Sequence, residues 1–177
     1  MNFQDKVSGG NLVVVDIETS GLRSDGDNPA EIIEISAIRF KNGQETERYH
    51  SYIKNKTPLS KEISALTEIT DEMLSNAPDI STVMNEFCAF ANGALVAAYN
   101  APFDYGFLKR YAEKNGCALP KEWIDVLAIA KQKITDGVKS YKLKDVAKYL
   151  NIAYSDKGGT EWYAYLTADV LFALDEI

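Results

Sequence analysis

The chain has 177 residues, 46% of them hydrophobic and 25% charged, and a formal net charge of −7. That length suits one domain with a sizeable core, and we expect a single domain over residues 1–177. The acidic balance argues against a generic nucleic-acid coat protein, no run is apolar enough to span a membrane, and two cysteines are too few for a disulfide framework or a zinc site. Residues 1–6 lack the charged and apolar regions of a signal peptide, so the expected location is cytoplasmic, with no membrane partner.

The first predicted element is the apolar strand Asn11-Leu12-Val13-Val14-Val15-Asp16-Ile17-Glu18-Thr19. Positions i and i+2 of a strand share a face, so Asp16 and Glu18 present two carboxylates side by side. Such a pair repels unless a proton or a cation neutralises it. Hard oxygen donors of this kind select Mg²⁺ or Mn²⁺. The plainer reading is a solvated strand end with two surface acids.

A polar loop over residues 23–29 leads to a second strand over residues 31–37. The turn Lys41-Asn42-Gly43 leads to a third, over residues 48–53. His50, the sole histidine, falls in that strand and reads as structural. A short helical connector over residues 63–74 precedes an amphipathic helix over residues 80–91, in which Cys88 reads as a small core residue. Residues 94–99 form a further buried strand. Pro102 then suits the first turn of a helix, with Phe103, Phe107, Leu108 and Tyr111 on one stripe. Asp104 falls in that first turn, beside the strand end. A helix dipole alone favours an acid there, and Asn100 alone reads as a cap or turn residue. Three consecutive strands with short turns imply an antiparallel portion, and the later strand with flanking helices implies parallel addition. The predicted class is therefore α/β, a mixed central sheet flanked by helices.

Together these pieces resemble the DnaQ-like 3′–5′ exonucleases of the DEDD superfamily. Their first motif, Asp-x-Glu followed by Thr and Gly-Leu, is matched by Asp16, Glu18, Thr19, Gly21 and Leu22. Their second, Asn, three residues, then Asp-x-x-Phe-Leu, is matched by Asn100, Asp104, Phe107 and Leu108. Residues 31–37, 63–74, 124–130 and 141–144 match intervening landmarks, with Glu68 where the family usually has Gly. The resemblance implies a ribonuclease-H-like fold and two-metal hydrolysis of phosphodiester bonds at single-stranded DNA or RNA 3′ ends. It implies Mg²⁺ or Mn²⁺, two per site where a fourth ligand is present. Asp16, Glu18 and Asp104 would be metal ligands. Thr19, Leu22 and Asn100 would touch substrate, with Leu22 as an apolar wedge under the terminal base.

The family's third motif supplies a last metal-binding Asp, preceded by a His five residues earlier or a Tyr four residues earlier. Two registers compete here. In one, Tyr165 is the general base and Asp169 the metal ligand. In the other, Tyr163 stands at the Asp position and Gly158 at the His position. Six residues separate them, so the faces differ by about 120° and the heights by about 9 Å. The stripe through Tyr163, Thr167, Val170 and Leu174 is the more apolar, which favours an inward Tyr163. Asp169 is then an exposed helix acid and Tyr165 a rim aromatic, with Glu161 as a candidate substitute acid. A catalytically impaired nucleic-acid-binding or complex-building relative is the alternative to an active nuclease.

Charge is unevenly spread. Residues 131–157 carry seven Lys against three Asp, while residues 1–37 carry seven acids against Lys6 and Arg23. A basic flank beside an acidic centre suits a site that holds phosphates through cations; a solvated lysine face is the plainer reading. The expected partner is a nucleic-acid 3′ end, with a DNA polymerase complex as a further candidate.

Overall fold

The computed structural model describes residues 10–26, 29–155 and 158–177. The reading of residues 1–6, and the contributions of Asp5, Lys6, Asp27, Asp156 and Lys157 to the charge pattern, lie outside these. Five strands form one sheet: β1 (Asn11–Thr19), β2 (Ile32–Lys41), β3 (Gln44–Tyr52), β4 (Leu95–Ala98) and β5 (Trp123–Asp125). The spatial order is β3-β2-β1-β4-β5. β1 pairs antiparallel with β2 and parallel with β4; β2 and β3 are antiparallel, β4 and β5 parallel. The mixed sheet matches the expected class. The short β5 was not anticipated, because its three residues run straight into a helix and carry no alternation of their own.

Among the described residues the helices are α1 (Lys61–Thr67), α2 (Asp71–Ser75), α3 (Ile80–Ala91), α4 (Ala101–Asn115), α5 (Val126–Lys133), α6 (Leu143–Tyr149) and α7 (Thr160–Glu176). Capping follows local chemistry. Ser60, Thr70 and Asp79 accept the backbone N–H three residues on, which starts α1, α2 and α3. The connector is therefore two short helices. α1 ends on Glu68 at φ 61°, a left-handed conformation that explains why glycine is usual there.

The pleat divides the core. Val13, Val15 and Ile17 pack against α3 and α4 through Phe87, Phe107 and Leu108. Leu12 and Val14 face the other way, with Ile38 of β2 and with Val126, Val146, Leu171 and Leu174 of α5, α6 and α7. Asp16 and Glu18 continue the second row, so their carboxylates emerge on the α7 side of the sheet. Cys88 is buried in the first core, as expected, with its Sγ 2.7 Å from that of Cys117.

Candidate active site

At the C-terminal end of β1 the structure gathers acids from three elements. Asp16 and Glu18 come from β1, and Glu34 is the Cα partner of Glu18 on β2. Asp104 comes from the first turn of α4. Burial pushes the Asp16 carboxyl well above the ordinary carboxylate range, and the neighbouring charges of Asp104, Glu18 and Glu34 push it further. Burial, then Glu34, raises Glu18 to about 7. Asp104 is likewise driven up by burial, partly opposed by the backbone N–H groups of Asp104 and Ile17 and reinforced by Glu18 and Asp125. The side chains that act on Asp16 are all acids.

The supports are local. Asn100 adopts φ 67°, the left-handed region Asn tolerates better than most residues, and α4 starts directly after it. Asp125 at the end of β5 accepts the backbone N–H groups of Asn100, Ala101 and Leu127 at 3.1, 3.3 and 3.2 Å. It thereby ties the start of α4 to the start of α5. Thr19 Oγ1 donates to the Gly21 carbonyl at 2.6 Å, closing the loop after β1 and leaving Leu22 86% exposed. Beside Leu22, on the α3 and α4 side, lies a cavity of about 1060 Å³ edged by Arg23, Lys54, Lys56, Arg110 and Lys114, against Glu31 and Asp79. It is separate from the acids.

The structure does not bring Tyr165 and Asp169 to this end. Thr160 Oγ1 meets Ser36 Oγ at 2.6 Å, and Ser36 is the strand partner of Asp16, so α7 begins level with the acids. Phe172 packs on Phe40 at the opposite end of β2. Asp169 lies nine residues past Thr160, about 13 Å further down the axis, and is exposed. Tyr165 donates to Glu45 Oε2 at 2.7 Å and lies under the Arg48 guanidinium. Glu161 is held by Arg48 at 2.9 Å. The face and height of α7 thus oppose the register with Tyr165 as base and Asp169 as ligand, and Glu161 is committed elsewhere. Gly158 and Tyr163, each within three residues of Thr160, lie by the start of α7, level with the acids. A Cβ on Gly158 would run into the Cβ and Cγ of Trp162. Tyr163 stacks edge-on against Trp162, and the Lys144 ammonium lies 5.9 Å from its ring.

Sequence reasoning did not single out Glu34, whose side chain is 7% exposed and whose Oε1 lies 2.8 Å from His50 Nε2. The signal was present as one acid inside Ile32-Ile33-Glu34-Ile35. Among the described residues no group of three or more His, Cys, Asp or Glu side chains is placed so that it could hold a metal ion as it stands. The chemistry of the donor set nevertheless fits a hard divalent cation: crowded carboxylates, Asp104 and Glu34 buried and Asp16 and Glu18 partly so, with like charge raising Asp16, Glu18 and Asp104.

The exonuclease family model RNase T matches residues 13–157, ending before α7 begins. A PolC-type DNA polymerase III from Thermotoga petrophila is 36% identical over 153 residues, 86% of this chain and 11% of that protein. Its counterpart from Clostridium perfringens is 33% identical over 159 residues, 90% of this chain and again 11% of that protein. The chain thus spans about a tenth of the length of these relatives. Among solved structures, exonuclease X with 5′-overhanging duplex DNA aligns at TM-score 0.68 and 21% identity, covering 90% of this chain and 89% of that one. Product-bound exonuclease I aligns at TM-score 0.77 and 16% identity, covering 95% and 44%. Both likenesses carry the fold.

Proposed function

The chain belongs to the RNase T exonuclease family, and we propose that it hydrolyses phosphodiester bonds at single-stranded DNA or RNA 3′ ends with Mn²⁺ or Mg²⁺. The observation that carries this reading is the convergence of Asp16, Glu18 and Asp104 at one sheet end, where, among the described residues, the charges that shift Asp16 are those of Asp104, Glu18 and Glu34. Asp16, Glu18 and Asp104 would hold the cations. When bound, these supply the Lewis acidity that generates hydroxide at neutral pH and stabilises the leaving oxygen.

The chain's own residues do the rest. The Thr19–Gly21 closure holds Leu22 out as an apolar platform for the terminal base, a grip that needs no sequence preference. Asn100, beside Asp104, contacts the sugar-phosphate from the other lip. Basic groups edging the adjoining cavity, Arg23 and Lys54 among them, draw the phosphates of the strand in an otherwise acidic protein. PolC-type relatives, and neighbours seen with a dT13 oligonucleotide and with a histone mRNA stem-loop, suit a nucleic-acid end of either sugar. A DNA polymerase assembly is the partner those relatives suggest.

A second reading, a catalytically weakened complex-building relative, is favoured by one observation: Asp169 is exposed, about 13 Å along α7 from Thr160, and the other register would put Gly158 and Tyr163 where the family has His and Asp. The deciding assay follows a 5′-labelled single strand with Mn²⁺ or Mg²⁺, beside Asp16→Asn. Stepwise shortening from the 3′ end that requires Asp16 supports the nuclease. Mn²⁺ should serve better than Mg²⁺, whose geometric demands are stricter. Binding without shortening in either metal supports the second reading.

A further inference from the structure

Glu34 and Glu18 are direct cross-strand partners in the antiparallel β1–β2 ladder. Their side chains share a face, with Cβ atoms about 4.5–5.5 Å apart, and like charges so placed are destabilising. Asp16 lies two residues along the same row. A buried acid set against two others needs a positive counterpart. His50 Nε2 meets Oε1 at 2.8 Å, but that imidazole is the more exposed partner and engages one oxygen only.

The start of α7 closes over the same carboxylate. A Cβ on Gly159 would lie 3.6 and 3.8 Å from the two Glu34 oxygens. The start of the last helix thus lies next to the Glu34 carboxylate, near enough that a side chain at Gly159 would touch it. One turn on, Tyr163 offers no carboxylate and packs on Trp162. The helix supplies no acid at this end that is free to serve, since Glu161 is engaged by Arg48.

We propose that Glu34 is the fourth carboxylate of the cation site, oriented by His50, in place of the acid that the last helix lacks. This rests on the exonuclease reading of the site. It moves the missing ligand from a helix to a core strand, where register rather than helical phase sets its aim.

Mn²⁺ titration of the full chain by calorimetry, with melting curves with and without Mn²⁺, tests it. Glu34→Gln should weaken Mn²⁺ binding at least tenfold and remove most of the Mn²⁺-induced rise in Tm, while the metal-free variant melts at or above wild type. Unchanged Mn²⁺ affinity with a lower metal-free Tm would make Glu34 merely the structural partner of His50 and overturn the proposal. Should Glu34→Gln fail to fold, Glu34→Asp keeps the charge but shortens the reach: a tenfold loss of affinity supports the assignment, and wild-type affinity overturns it. His50→Ala should cost less affinity than Glu34→Gln; an equal or larger loss would put the cation on His50 instead. Asp16→Asn separates the two levels. If it keeps wild-type Mn²⁺ binding, the exonuclease site itself is wrong; if it loses binding and Glu34→Gln does not, only the role of Glu34 fails.

Discussion

Trp162 fills the space that a side chain at Gly158 would need: besides the clash with its Cβ and Cγ, its Cδ2 would lie 2.7 Å from an added Cβ. In the register that puts Gly158 at the family's His position, that position is therefore closed by the helix that follows it. Restoring a histidine there should not restore a base. Gly158→His is expected to lower stability by about 1–3 kcal/mol, the usual cost of forcing atoms into a packed site, and to leave Mn²⁺-dependent turnover no higher than wild type. Melting curves and a rate measurement suffice. Increased turnover with unchanged Tm would mean that Trp162 yields readily.

Tyr165 and Asp169 are expected to be dispensable. Tyr165 spends its hydroxyl on Glu45, and Asp169 is an exposed acid far down α7 from Thr160. Asp169→Ala should change stability by no more than about 0.5 kcal/mol, as surface substitutions do, and Tyr165→Phe by about 0.5–1.5 kcal/mol for the lost hydrogen bond, each with turnover within twofold of wild type. Asp16→Asn should cost more than the ~100-fold typical for losing an outer partner of a metal site. Loss of digestion in Asp169→Ala alone would reverse the placement of the third motif.

Much of this was legible in the sequence, for a physical reason in each case. The alternation Val13, Val15, Ile17 against Leu12, Val14, Asp16, Glu18 puts two acids on one face, and that follows from the period of a strand. The apolar stripe of α7 likewise favoured an inward Tyr163 over Asp169. Glu34 stayed hidden because a lone acid in an apolar strand declares its neighbours only once cross-strand register is known, and register depends on pairing across the turn at Asn42 and Gly43. Asp125 was hidden for a different reason. Its partners are backbone N–H groups of two helix starts, 24–25 residues earlier and two residues later. No motif spacing encodes that. His50 was read as structural from its strand; that strand also brings it to Glu34.

The acid cluster should make the metal-free protein weaken as pH rises. Glu18 titrates at about 7 in the folded chain against an ordinary 4.5. Between those values the folded state holds a proton that the unfolded state has released, so stability falls as pH rises through that window. The measurement is the Tm difference between wild type and Glu18→Gln in EDTA, across pH 4.5 to 7. Wild type should lose ground steadily over the window, and Mn²⁺ should abolish the trend by neutralising the carboxylates. A difference that stays flat, or that grows in favour of wild type, would mean that burial and Glu34 do not hold the Glu18 carboxyl up as described.

Asp125 offers the test of positioning without ligation. Its carboxylate accepts three backbone N–H groups and so sets where α4 begins, and with it the placement of Asp104 three residues into that helix. Hydrogen bonds to a charged group contribute about 1.5–3 kcal/mol each, and loss of a helix cap alone costs about 0.5–2 kcal/mol. Asp125→Ala should therefore lower stability by at least about 2 kcal/mol, and it should also weaken Mn²⁺ binding, because Asp104 loses its fixed approach to β1. Asp125→Asn keeps an acceptor oxygen in the same place and should recover most of both losses. If Asp125→Ala lowered Tm while Mn²⁺ affinity stayed at the wild-type value, the start of α4 would be held by other contacts, and Asp104 would owe its position to the burial of Phe107 and Leu108 one turn on.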